Sequence, residues 1–376
     1  MLQRRHLLHG AAAAAAASLG LPALAQTGDR RIVLGQSAPL TGAAAQLGLQ
    51  FQRGARLAFE RSNARGGVAG AQIELRTLDD GYEPERCKAN TTKLIKDGVF
   101  ALFGYIGTPT SLAALPLASE ADVPFFAPFT GAQALREPFN RNVFHVRASY
   151  FDETARIVNQ LASTGFKRIA VFHQNDSYGQ AGLAGVKRAM EPLSLLPVAV
   201  ATVERNSVDV EAALKTLLAA QPDAVIQVSA YRSCAAFIRG ARKAGYGGQF
   251  YNVSFVGTQA LADELGPDAR GVVVSQVMPY PFAPVGALAG EYLQALAATG
   301  ADAKPDYSSM EGYVAARVLL EGLRRGGTGR ESFVAGLEGM RDVDLGGFRV
   351  DFGARKHTGS SFVELTILGA DGRVRR

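Results

Sequence analysis

RRIVLGQSAPLTG, Arg30 to Gly42, and KRIAVFHQNDSYG, Lys167 to Gly179, follow one plan. Each opens on basic residues, continues through an apolar run that reads as a strand, and breaks into a polar, glycine-containing turn before a helical pattern. Two further pairs follow in the same order. GVFALFGYIGTPTSLAALPLA (Gly98 to Ala118) is matched by DAVIQVSAYRSCAAFIRGA (Asp223 to Ala241), and VPFFAPFTG (Val123 to Gly131) by GQFYNVSFVGT (Gly248 to Thr258). Three ordered matches predict two domains of one topology.

Around these anchors, short β-branched and aromatic runs alternate with helical patterns, which predicts an α/β fold of two similar Rossmann-like lobes with parallel central sheets. The strands are expected near 31–37, 72–79, 99–104 and 124–128, then near 168–174, 196–202, 223–229, 250–254 and 271–277. Val210, Ala213, Leu214 and Leu217 form one apolar helical stripe; Cys234, Phe237, Ile238 and Ala241 form another, with Gly245 as its stop. Beyond Val277 the pattern changes to PYPFAP (279–284), a proline-rich crossing. Two more helices are expected, the second opening with a capping box at Ser308-Ser309-Met310-Glu311, and then two strands, Gly347 to Phe352 and Phe362 to Leu368.

The first 25 residues read as a secretory signal. Arg4 and Arg5 precede an alanine-rich apolar run and a small-residue cleavage site after Ala25, and the paired arginines favour the twin-arginine route. A periplasmic protein is therefore expected. Its 376 residues, 47% apolar, suffice for two ordinary domains. Loss of the two arginines lowers the formal charge from +6 to +4, and the remaining charges are scattered, unlike the stripe that reads nucleic acid. Cys87 and Cys234 lie in different halves; Cys234 reads as a core residue, and an exported compartment permits a disulfide that spacing alone does not place.

No GxSxG, HExxH, CxxC, GxxxxGK[ST] or GxGxxG occurs, so neither an enzyme nor a bound cofactor or metal is expected. The mature histidines, His145, His173 and His357, are dispersed, and His173 reads as structural or as a ligand contact. Binding chemistry concentrates instead in loops at the carboxyl ends of the predicted strands: Ser37–Gly48, Gly104–Ser111, Pro128–Ala132, Asn175–Gln180, Ser229–Ser233 and Asn252–Thr258. In open α/β sheets this is the ligand end, where helix N-termini present unpaired N–H groups. Most of these loops carry an aromatic, namely Tyr105, Phe129, Tyr178, Tyr231 or Phe255, beside hydroxyls and glycines, a composition suited to a small-molecule site.

RIVLGQSAPLTG, NARGGVAGAQIEL, LDDGYEP, DSYGQAGLAGV and FIRGARKAGYGGQFYNVSFVG together resemble the leucine/isoleucine/valine-binding type of periplasmic solute receptor, over nearly the whole mature chain. The resemblance implies the type I periplasmic binding fold, with lobes joined by a three-segment hinge and boundaries at 27–147 plus 280–345 for lobe one and 148–279 plus 346–376 for lobe two. It also implies a monomer that closes over its ligand and serves the permease and ATPase subunits of an ATP-driven importer. A sensory receptor or regulator built on the same fold is the alternative. In the amino-acid binders, the loops matching Tyr105-Ile106-Gly107-Thr108 and Phe129-Thr130-Gly131 hold the ligand carboxylate, and Tyr178 and Tyr231 match tyrosines of the second lobe. Two positions depart from that pattern. An acid that meets the ligand ammonium is replaced by Ser254, next to Phe255, and a first-loop tyrosine by Leu47. A buried ammonium without a carboxylate is costly, so the ligand expected is an organic or aromatic acid or an amide without a free α-amino group, with an amino acid as the alternative.

Overall fold

Strand β1 (Arg31–Ala38) is buried along most of its length, as a strand covered on both faces must be. The structure, a computed structural model, describes residues 30–300 and 303–376; the expected signal segment lies outside them. From β1 the chain runs through α1 (Ala45–Asn63), β2 (Gln72–Asp79), α2 (Pro84–Lys96), β3 (Ala101–Phe103), α3 (Thr108–Glu120), β4 (Phe125–Phe126) and β5 (Val143–Phe144). The five strands are parallel, in the order β2-β1-β3-β4-β5.

The second half repeats this plan with α4 (Tyr150–Ser163), β6 (Ile169–Gln174), α5 (Ser177–Met190), β7 (Ala199–Val203), α6 (Glu211–Ala219), β8 (Ala224–Val228), α7 (Tyr231–Lys243), β9 (Gln249–Asn252), α8 (Thr258–Leu265) and β10 (Val273–Gln276). Its parallel order is β7-β6-β8-β9-β10, the same topology as the first sheet. The repeat legible in the sequence is thus a repeat of topology, with β1 matching β6, β3 matching β8 and β4 matching β9.

The remaining chain divides between the two sheets. Helices α9 (Ala287–Ala297) and α10 (Tyr307–Gly326) pack on α1, and α11 (Arg330–Glu338) packs on α10. A small hairpin follows, β11 (Val343–Asp344) with β12 (Arg349–Val350). Strand β13 (Glu364–Leu368) then joins the second sheet antiparallel to β10, and β14 (Val374–Arg375) pairs with β13. Residues 348–359, which the sequence reading assigns to lobe two, run beside β5: His145 N donates to His357 O at 2.8 Å, Gly359 N to His145 O at 2.7 Å, and the Phe352 ring lies 5.4 Å from Phe144. The chain passes between the sheets after β5, after β10 and again before β13.

The expected capping box of α10 is not formed. The N-cap lies two residues earlier, at Asp306, which accepts from Ser309 N at 2.7 Å and is paired with Arg53. Aspartate offers the same short-range acceptor as serine, so the aspartate two positions upstream takes the role. Glu311 falls in the second turn, too far along to reach back. Cys87 and Cys234 are both free and buried, Cys234 inside the stripe predicted for α7. No helix among the described residues is long and apolar enough to cross a membrane.

Candidate ligand cleft

The loop after β3 turns sharply at Gly107, whose φ of +94° suits glycine and whose absent Cβ would stand 2.3 Å from a Tyr82 ring carbon. That turn starts α3 at Thr108, leaving the N–H groups of Thr108 and Thr110 without intrahelical acceptors. Ile106 bridges to Phe129 in the loop after β4, which brings the two loops side by side. The Thr108 and Thr130 hydroxyls meet at 2.7 Å, and Thr130 Oγ1 donates to the Tyr150 hydroxyl at 3.3 Å. Gly131 permits this approach, because a Cβ there would stand 2.6 Å from Tyr150 N. Two hydroxyls and a helix N-terminus in one place have the chemistry suited to an anionic or carbonyl oxygen.

The second lobe closes over this seat with rings. Phe255 lies 4.6 Å from Tyr178, 5.5 Å from Phe129 and 5.9 Å from Tyr82, and Tyr150 lies 5.4 Å from Tyr178. All five are buried. The Tyr178 hydroxyl has no hydrogen-bond partner, and burial pushes its pKa well above 10, so it is a neutral donor left without an acceptor.

Two of the sequence-predicted residues stand apart from this box. The residue before the turn, Tyr105, lies on the opposite side of the sheet, with its hydroxyl 3.1 Å from Thr91 and its ring on Phe125. Tyr231 is buried in the first turn of α7, with no ring contact to the box. Leu47 lies on α1, close to the turn at Gly257. His173 is structural: its Nδ1 meets Gln174 O at 2.8 Å, and burial lowers its pKa.

At the hinge end of the cleft is a buried charge network that sequence reasoning missed. Arg147, on the first crossing, reaches Glu153 at 2.9 Å, Glu311 at 3.5 Å and the Ser254 hydroxyl. Its guanidinium lies over the Phe129 and Tyr150 rings, 5.2 and 5.8 Å from their centroids. Glu153 also accepts from Ser254 N at 2.8 Å, Ser254 Oγ at 3.1 Å and Ser275 Oγ at 2.6 Å, so its lone pairs are well used. Glu311 has only the longer Arg147 contact; burial raises its pKa against that attraction, from the ordinary 4.5 to about 7. Burial disfavours charge on Arg147, but Glu311 and Glu153 outweigh it and hold the guanidinium above its usual value. A small cavity beside this network is lined by Phe129, Ser254, Tyr307 and Glu311 among others.

Tyr82 and Tyr150 were also missed. Tyr82 follows the end of β2, a strand end whose loop was not counted among the candidates. Tyr150 follows the Ser149 N-cap of α4, where Ser149 and Asp152 form a capping box readable as S-Y-F-D. The rim of the cleft is closed by the β2 and β7 loops: Arg205 pairs with Glu83 at 3.0 Å, Asn206 donates to Glu83 at 2.8 Å, and Gln174 donates to Tyr82 OH at 3.3 Å.

Two topologically equivalent α/β lobes, three crossings and a polar seat facing an aromatic wall across the cleft define a two-lobe solute-binding protein. The chain belongs to the periplasmic binding protein family, whose sequence pattern matches residues 31–372, and it is of the type I, leucine/isoleucine/valine-binding kind. The family consists of substrate-binding proteins, not enzymes. Among solved structures, a possible leucine/isoleucine/valine-binding protein from Rhodopirellula baltica is 36% identical, with a TM-score of 0.88 over 92% of this chain and 96% of that one. A substrate-binding periplasmic protein from Ralstonia solanacearum is 34% identical, with a TM-score of 0.86 over 92% and 99%. Among curated relatives, an amino acid binding protein of Pseudomonas aeruginosa is 29% identical over 62% of this chain and 63% of its own length, so the aligned part spans less than two thirds of that relative. The Leu/Ile/Val-binding protein homolog 2 of Brucella abortus is 27% identical over 67% and 68%.

Proposed function

We propose that this chain captures a small solute in the periplasm for an ATP-driven importer, and that the solute carries a carboxylate or amide and no free α-amino group. The observation that carries the reading is the Thr108–Thr130 pair at the N-terminus of α3, facing Tyr178 and Phe255 from the other lobe. The head group of the ligand takes the two hydroxyls and the free N–H groups, and its body lies against the rings. The exclusion of an ammonium is supported by Arg147 and its neighbours: the Ser254 hydroxyl is bonded to a cation, Glu153 is already saturated, and burial holds Glu311, the remaining acid beside them, toward its neutral form. A ligand drives closure only by binding the closed form better than the open one, and residues on both sides of the cleft supply that difference.

A thermal-shift panel of branched-chain amino acids, their deaminated acids, aromatic acids, dicarboxylates and amides tests the reading. A ligand at 100 times its Kd adds about 2.7 kcal/mol of stability. The expected result is a rise in Tm with a carboxylate or amide lacking the amino group. Replacing Thr108→Val or Thr130→Val should weaken that ligand roughly ten- to a hundred-fold, the worth of a hydrogen bond to a charged group. A shift given by leucine or valine and not by their deaminated analogues would overturn the ligand assignment.

A further inference from the structure

We propose that a second site, on the outer face of the first lobe, binds a phosphate-class anion. A cavity between α1, α9 and α10 is lined by four arginines, Arg61, Arg65, Arg317 and Arg324, with Glu291 as its one carboxylate and Ser62 at its wall. Arg61 stands in the last turn of α1 and Arg65 in the turn that follows it, while helical spacing brings Arg317 and Arg324, seven apart on α10, to one face.

The charges do not balance. Glu291 is paired with Arg317, and its backbone oxygen accepts from Arg61 at 3.3 Å. Arg324 reaches Glu321 at 3.7 Å, a carboxylate shared with Arg325, and Arg65 makes no ion pair among the described residues. One carboxylate inside the cavity therefore faces four guanidiniums. A second, independent observation points the same way. Ser62 is only 6% exposed and its hydroxyl has no hydrogen-bond partner, although a buried hydroxyl is normally satisfied. Guanidinium forks and a free hydroxyl match the several oxygens of a phosphate group.

The site is separate from the ligand cleft. Arg61 lies fourteen residues along α1 from Leu47, about 21 Å at the helical rise, and at the end of the helix remote from the cleft. Phosphate could come free in solution or as a phospholipid headgroup, and the experiment distinguishes the two.

The full mature chain is assayed by thermal shift with inorganic phosphate and pyrophosphate at constant ionic strength, and by flotation with phosphatidylglycerol or phosphatidylcholine vesicles. Both assays are repeated with Arg65→Ser/Arg324→Ser, two exposed side chains whose loss leaves the core untouched, and with Arg65→Lys/Arg324→Lys as a charge-retaining control. The expected result is a rise in Tm with pyrophosphate larger than with phosphate, lost at least ten-fold in apparent affinity in the serine variant and partly kept in the lysine variant. Arginine-dependent flotation with phosphatidylglycerol would assign the source as a headgroup; a Tm rise without flotation would assign a free anion. No response in either assay, or a response unchanged in the serine variant, overturns the proposal.

Discussion

Arg147 is the residue on which the hinge end of the cleft depends. A guanidinium that is 1% exposed is tolerable because Glu153 pairs with it at 2.9 Å, and removing that partner leaves a poorly compensated buried charge. Glu153→Ala should therefore destabilise the protein by about 3–5 kcal/mol, read as a fall in the urea midpoint with an unchanged slope. Glu311 behaves differently because its folded pKa is raised. Between the ordinary 4.5 and about 7 the folded state holds a proton that the unfolded state releases, so stability is greatest below 4.5 and falls as pH rises through 7. The full contribution of this group is roughly 3 kcal/mol. Urea melts at pH 5 and pH 8 should show wild type losing stability with rising pH, and Glu311→Gln should flatten that component. Of the network, only Ser254 was legible in the sequence; its charged members were not. Arg147 and Glu153 are six residues apart, but Ser254 and Glu311 lie 107 and 164 residues beyond Arg147, and a charged residue reads as solvated until the fold buries it.

At the scale of elements, the strand-end loops carried most of the information. The loops after β3, β4, β6 and β9 were found because each combines glycine, hydroxyls and an aromatic, and the structure brings Thr108, Phe129, Thr130, Tyr178 and Phe255 together. Direction was not legible: Tyr105 precedes the turn at Gly107, and neighbouring residues at a strand end point to opposite faces, so counting residues could not tell wall from core. Strand β5 was missed because two residues show no periodicity, and its place is fixed by pairing with β4. The β2 and β7 loops were passed over, yet they form the rim contact of Glu83 with Arg205 and Asn206. Both charges of that contact are partly exposed, so each interaction is worth about 0.2–1 kcal/mol. Arg205→Ala should leave Tm nearly unchanged and weaken ligand binding about two- to five-fold by reducing the closed population, as isothermal titration would show. Gly107→Ala should be far more damaging, since it strains a positive φ and drives a methyl into Tyr82.

For the whole molecule, the internal repeat made the two-sheet architecture readable, and the structure bears it out in the shared order β2-β1-β3-β4-β5 and β7-β6-β8-β9-β10. How the last segments divide between the lobes was less readable, because residues 348–359 are held by β5 through backbone bonds at His145 that leave no mark in side-chain pattern. In the described conformation the lobes touch through Phe129, Tyr82 and Phe255 and through the rim pair. On the proposed reading, a solute parts these rings to enter and then holds the lobes together. The most direct test is small-angle scattering on the purified chain, with and without the panel member that raises Tm. The account predicts a smaller radius of gyration on binding, and no such decrease in the Thr108→Val/Thr130→Val variant at the same ligand concentration. A ligand that raises Tm while the radius of gyration stays constant, or a decrease that survives in the double variant, would contradict closure over the Thr108–Thr130 seat.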